Sequence, residues 1–169
     1  VVVGDEAGTA LTTGDSNVAV GYTALDASET ASGNTAVGYA ALTATTTGDR
    51  NTALGQSAMA ANTTGDRSVG IGFQALNAQN PSSNADMYNT AVGYNAGTAV
   101  TTGITNTVIG ALAGDAITTA SENVAVGSYS LTADTLGARS TGLGHGALAT
   151  QNFTSATSTY NTAIGYETL

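Results

Sequence analysis

Few side chains in this 169-residue chain are equipped for chemistry, and their spacing is the first clue to their role. Asp49 and Asp66 stand 17 residues apart, each followed by an arginine (Arg50, Arg67), a pattern that a paired-carboxylate acid–base device would need. The pairs Gly14-Asp15, Gly48-Asp49, Gly65-Asp66 and Gly114-Asp115 are also ordinary turn chemistry, and a surface Asp-Arg pattern at a turn is the better reading. They do not extend to the Gly-Gly-x-Gly-x-Asp pattern of a calcium-binding β-roll. The single histidine, His145, has no Ser or Asp recurring beside it, so it reads as a surface substitution rather than a base. The absence of cysteine excludes disulfides, zinc-thiolate sites and thiol nucleophiles. The expectation is a chain that is not an enzyme and carries no cofactor or metal. Asn62-Thr63-Thr64 and Asn152-Phe153-Thr154 match glycosylation sequons, but Asn and Thr are so common here that chance accounts for both.

The bulk composition narrows the partners. Arg50, Arg67 and Arg139 are the only basic residues besides His145, against twelve acidic ones, for a formal charge of -9. Phosphate backbones demand clustered cations, so neither nucleic acid nor an anionic membrane surface is expected as a partner. No apolar run reaches the roughly 18 residues a membrane span requires. Val, Ile, Leu and Phe supply 30 of 169 residues, while Thr and Ala supply 30 and 31 and Gly 22. Only 9% of residues are charged, against about 25% in an ordinary soluble domain. Something other than a three-dimensional oily core must hold such a chain together. It begins at Val1 without a charged start followed by an apolar stretch, and reads as a processed product or a piece of a longer chain.

The elements that position these residues come from a repeat. Apolar-Gly pairs recur at Val3-Gly4, Val20-Gly21, Val37-Gly38, Leu54-Gly55, Ile71-Gly72, Val92-Gly93, Ile109-Gly110, Val126-Gly127, Leu143-Gly144 and Ile164-Gly165. The steps are 17 residues, except for two of 21. The longer copies match each other, with Gln79-Asn80-Pro81-Ser82-Ser83 against Gln151-Asn152-Phe153-Thr154-Ser155 and Tyr88 against Tyr160. The chain is thus one repeat domain, 1–169, with super-repeats 17–88 and 89–160 and partial rungs 1–16 and 161–169. Fixed self-similarity of this kind is the signature of a solenoid.

Numbering one rung from Asn34 to Arg50, position four is always Val, Leu or Ile and position two is Val or Thr. These two share one face of a short strand. Position nine is mostly Leu or Met (Leu25, Leu42, Met59, Leu76, Leu131, Leu148, Leu169) and position eleven mostly Ala, which predicts a second short strand. Gly at position five and often at fifteen supplies corners. Helix is disfavoured, because Thr, Gly and Asn occupy the places of helix formers and no 3.6-residue stripe persists. The fold class expected is therefore all-β, a parallel β-solenoid of about ten rungs. One rung cannot fold alone, since ordering its backbone costs far more than one buried Val or Leu returns. Stacking at about 4.8 Å adds continuous main-chain ladders and would give a rod of about 48 Å. A structural ladder of Asn17, Asn34, Asn51, Asn89, Asn106, Asn123 and Asn161, with Ser68 and Ser140 substituting, predicts amides bonded to the amides above and below.

Position three, opposite two and four, holds Ala19, Ala36, Ala53, Gly70, Ala91, Val108, Ala125, Gly142 and Ala163. A solvated strand face would show Thr, Lys, Glu or Gln, so a second chain is expected to pack closely against these small residues. Tyr22, Tyr39, Phe73, Tyr94 and Tyr166 line position six, where an exposed row could stack on sugar rings or grip a protein ligand, but packing at a corner or between chains is the better reading. The long rungs place Pro81, Met87, Tyr88, Phe153 and Tyr160 on expected protruding loops that either brace adjacent chains or bind a ligand. Strand edges at both ends predict continuation of the solenoid or end-to-end stacking into a filament.

The runs Asn34-Thr35-Ala36-Val37-Gly38-Tyr39, Asn89 to Tyr94 and Asn161 to Tyr166 resemble the head repeats of trimeric autotransporter adhesins (the YadA-like head) and the repeats of trimeric phage tail fibres. The resemblance covers the chain and implies a left-handed parallel β-roll and a homotrimer. It also implies an extracellular location on a cell surface or virion, and work as a shaft or adhesive head for a host-surface glycan or protein. The known adhesin head repeat is shorter than 17 residues and lacks the long fourth rung. Two other functions fit a β-solenoid: ice binding through the Thr rows at positions thirteen and fourteen, such as Thr46-Thr47 and Thr101-Thr102, and a calcium-dependent surface-layer β-roll.

Overall fold

A small middle residue between two β-branched or aliphatic ones, bounded by Asn and Gly, makes each short strand. The computed structural model describes residues 1–169. The chain is all-β, with β1 (Val2–Val3), β2 (Val18–Val20), β3 (Thr35–Val37), β4 (Thr52–Leu54), β5 (Gly65–Asp66), β6 (Val69–Ile71) and β7 (Ala85–Asp86) in its first half. Then follow β8 (Thr90–Val92), β9 (Thr107–Ile109), β10 (Val124–Val126), β11 (Gly137–Ala138), β12 (Thr141–Leu143), β13 (Thr157–Ser158) and β14 (Thr162–Ile164). One ten-stranded parallel sheet runs β1-β2-β3-β4-β6-β8-β9-β10-β12-β14, and its register places position three on position three, as in Ala36↔Ala53 and Ala53↔Gly70. This is the parallel β-solenoid with its 17-residue step.

Most of the ladder lies outside the strands. Of 99 backbone–backbone hydrogen bonds only 19 fall within strands, so the turns are stacked and bonded from rung to rung as the strands are. The second strand expected at positions nine to eleven does not form. Leu25, Leu42, Met59 and Leu76 instead take left-handed backbone angles, with φ of 50–54°. Positions seven and seventeen do the same, as at Ala40 (φ 53°) and Arg50 (φ 58°), so each rung turns at three left-handed corners. A fourth corner falls at Gly of position five, with φ near +130° throughout, a region open only to glycine. A Cβ on Gly38 would also lie 2.6 Å from the Gly55 carbonyl carbon.

The strand faces are inverted relative to the expectation that the small side chains of position three meet another chain. Ala19, Ala36, Ala53, Ala91, Val108 and Ala125 are fully buried inside the solenoid, and positions two and four point outward. The reason is width. The strand lies so close to the opposite wall that a Cβ on Gly70 would come 2.9 Å from Met59 Cγ and 3.2 Å from the Ala75 carbonyl oxygen. Only Ala, Gly or, at two rungs (Val2 and Val108), Val fits there.

Core volume is conserved rung by rung through an exchange between positions nine and twelve. Leu25, Leu42, Met59, Leu76, Leu131 and Leu148 face small or polar partners at Ser28, Thr45, Asn62, Gln79, Asp134 and Gln151. Where position nine is Gly8, Gly97 or Gly114, position twelve becomes Leu11, Val100 or Ile117. A Cβ on Gly8 would strike Leu11 Cδ1 at 2.8 Å, and one on Gly114 would strike Ile117 Cδ1 at 2.9 Å. Each complete rung thus carries one large aliphatic or Met side chain at position nine or twelve, to which Val108 and Met87 add a second in their own rungs.

Candidate functional site

The outward strand face is the most distinctive surface. Position four presents Val20, Val37, Leu54, Ile71, Val92, Ile109, Val126, Leu143 and Ile164 in one line; Leu54 is 45% and Leu143 44% exposed. Position two adds Val18, Thr35, Thr52, Val69, Thr90, Thr107 and Val124 beside it. No charged residue occupies either position. Ten rungs at about 4.8 Å, with roughly 7 Å between the two lines, make a flat strip of some 300–400 Å². Position two is Thr in six of the ten rungs, so the unbroken apolar line is that of position four, and exposed apolar surface of this kind often marks an interaction site.

Around the glycine corner, position six carries an exposed aromatic row. Tyr22 stacks on Tyr39 with ring centroids 5.6 Å apart, Phe73 on Tyr94 at 5.3 Å and His145 on Tyr166 at 5.1 Å. The Tyr129 ring meets His145 edge-on at 5.7 Å. A carboxylate stands beside two of these phenols: hydrogen bonds to Glu6 and Glu167 raise the pKa values of Tyr22 and Tyr166.

Each long rung adds a short strand that pairs in parallel with the rung before it, β7 with β5 and β13 with β11. The predicted loop residues do not all protrude. Pro81 is buried and Met87 is 1% exposed, because the insertion folds back over the rung and turns both into the interior. Tyr88 and Tyr160 do lie outside, and Phe153 is half-buried. Tyr88 donates from its hydroxyl to Asp86, which pairs with Arg67. Tyr160 lies against the Arg139 guanidinium, 5.7 Å from ring centroid to Cζ. The same guanidinium pairs with Glu122 at 3.0 Å, which raises its pKa. A groove of about 210 Å³ opens beside the second long rung, with Leu136, Ala138 and Ala156 on its apolar side and Thr119, Ser121, Thr157 and Ser158 among its hydroxyls.

The asparagine ladder is present but bonded differently from a stack of amides. From Asn17 to Asn123 each Oδ1 accepts the backbone N–H of the position-one residue in the next rung, as in Asn51 to Asn34 (2.8 Å) or Ser68 to Asn51 (3.0 Å), and one direct amide–amide bond runs from Asn106 to Asn89 (3.3 Å). Each Nδ2 donates across its own rung to the carbonyl of position fifteen, as in Asn34 to Gly48 and Asn51 to Gly65 (both 2.8 Å). Asn17, Asn89, Asn106 and Asn123 repeat this cross-brace. The insertions move position fifteen in the long rungs, and there a shorter Ser is combined with a longer Gln: Ser68 donates to Gln79, and Gln151 donates to Ser140. Asn161 donates to Gln151 Oε1 (2.7 Å).

Asp49 and Asp66 are ladder groups too. Asp49 Oδ1 accepts the Ser32 N–H (2.7 Å) and Asp66 Oδ1 the Asp49 N–H (2.6 Å). The Thr rows are likewise engaged: the hydroxyls of Thr12, Thr46, Thr101 and Thr118 donate to main-chain carbonyls of the following rung. No group of three or more His, Asp or Glu side chains is gathered as a metal site. No protein-family model, curated protein or solved structure matches the chain.

Proposed function

We propose that the chain is a non-catalytic structural or adhesive segment of an extracellular fibre, working as a homotrimer whose strand faces turn toward a common axis. The observation that carries this reading is the uncharged strand face of positions two and four, with its unbroken aliphatic line at position four. A continuous exposed line of this kind is the sort of surface that often serves for interaction. Three copies meeting along it would take this face of every chain out of water. The rod form, the stacking of polar side chains into ladders and the low charge suit a passive, stiff element. The exposed aromatic row and the hydroxyl-lined groove of the second long rung are the surfaces left for a glycan or protein ligand.

Native mass spectrometry or analytical ultracentrifugation tests the assembly: the expected species has three chains, and a stable monomer at high concentration overturns it. Replacing Leu54 and Ile109 together with Asp is expected to yield monomers that keep the β circular-dichroism signal. An unchanged trimer in that variant places the interface elsewhere and refutes the strip.

A further inference from the structure

Tyr22 and Tyr39 occupy the same position in adjacent rungs, stacked at 5.6 Å with ring planes 18° apart. They are the only two tyrosine rings in such contact; Tyr94 stacks on Phe73, and His145 stands between Tyr129 and Tyr166. Both are open to solvent, 44% and 54% exposed. The chain has no Cys and no Trp, and Met59 and Met87 are sealed in the core at 0% and 1% exposure. Sulfur side chains otherwise absorb oxidants in proportion to their exposure, so here a solvent oxidant meets tyrosine first.

We propose that Tyr22 and Tyr39 form an oxidative cross-linking site, joined as dityrosine by a peroxide acting through a one-electron oxidant of the haem-peroxidase class. Each phenol gives up one electron and one proton. The two phenoxyl radicals couple through their ortho carbons, the new carbon–carbon bond forms, and the ortho hydrogens shift to restore both phenols. The chain loses two hydrogen atoms, and the two electrons and two protons reduce one hydrogen peroxide to two waters. Half-exposed rings have the room to turn edge to edge for this bond. The product is a covalent staple between two rungs, and the inference rests on this contact alone, independent of the fibre reading.

The test treats the intact folded protein with hydrogen peroxide and a haem peroxidase, then digests the monomer band from a denaturing gel with trypsin and a glutamate-specific protease. Cleavage after Glu6, Glu29 and Arg50 separates Tyr22 on peptide 7–29 from Tyr39 on peptide 30–50. The expected product is these two peptides joined and two hydrogens lighter, with dityrosine fluorescence in the monomer. Tyr22→Phe and Tyr39→Phe should each abolish it while Tyr94→Phe leaves it intact. Phe73 already occupies this position in another rung, so the variants are compatible with the fold. Equal cross-linking in urea, or survival of the fluorescence in Tyr22→Phe, overturns the proposal. So does a product found only between chains.

Discussion

The two long rungs, 68–88 and 140–160, share a backbone path and a Ser–Gln pair, and differ in several of the other side chains that hold it. In the first, Asn62 Oδ1 accepts the Gly65 N–H and the Gln79 amide, while its Nδ2 donates to the Gly65 carbonyl. In the second, Asp134 replaces Asn62 and only accepts: from Gly137 N–H (2.9 Å), from Phe153 N–H (3.2 Å) and from the Gln151 amide. The additional donor exists because Phe153 replaces Pro81, which has no N–H. An acceptor-only carboxylate is thus matched to three donors and a mixed amide to two. Similarly, Met87 fills the interior of the first rung, whereas Thr159 at that place bonds to the Ala138 carbonyl and to Ser140. Over the first rung, the Thr47 hydroxyl donates to Asn84 at 2.8 Å; in the second, Ala156 at that place lines the open groove. The insertion is defined by its main-chain pairing, and several side-chain sets satisfy it provided donors and acceptors balance.

Breaking what the rungs share should hurt most and equally. A Cβ on Gly72 or Gly144 would lie 2.3 Å from the next rung's carbonyl oxygen, at φ of 129° and 128°. Gly72→Ala and Gly144→Ala should each cost about 3–5 kcal/mol, read from urea midpoints, and a large difference between them would deny a common backbone. The rungs should separate at the next level. Met87→Ala should cost about 2–5 kcal/mol by leaving a cavity, but Thr159→Ala only about 1 kcal/mol for its hydrogen bonds. Exchanging the buried polar groups should sharpen the contrast. Asn62→Asp and Asp134→Asn each unbalance one set, at about 1–3 kcal/mol. Adding Phe153→Pro to Asp134→Asn should then cost less than the two single changes summed, the coupling being visible in a double-mutant cycle. Removing the exposed arginines, Arg67→Ala or Arg139→Ala, should barely move the melting temperature in either rung, since surface ion pairs contribute little.

The repeat made the solenoid legible, because the Val-Gly pairs set both the period and the register, and the matched insertions announced the long rungs. Which strand face is interior was not legible from three residues of alternation. That pattern separates Thr35 and Val37 from Ala36 without saying which side is inside, and the habit of burying the larger group misleads when the cross-section is this narrow. A signal was present: Gly97 with Val100 and Gly114 with Ile117, against Leu42 with Thr45, show that positions nine and twelve share room for one large residue between them. The supposed second strand failed for a related reason. Leu at position nine is spaced like a strand residue, but Gly8, Gly97 and Gly114 at the same place mark a left-handed corner. At the long rungs, the Ser68–Gln79 and Ser140–Gln151 pairs recur together in the sequence, yet their meaning depends on a carbonyl displaced by the insertion.

The asparagine cross-brace has a mechanical consequence. The amides tie the two sides of each rung into a hoop, while the main-chain bonds between rungs point along the rod. Axial tension therefore loads every bond at a boundary in parallel, and no single turn can be peeled open until its tie gives way. Torque would attack those ties one at a time, so the rod should resist stretching far better than unwinding.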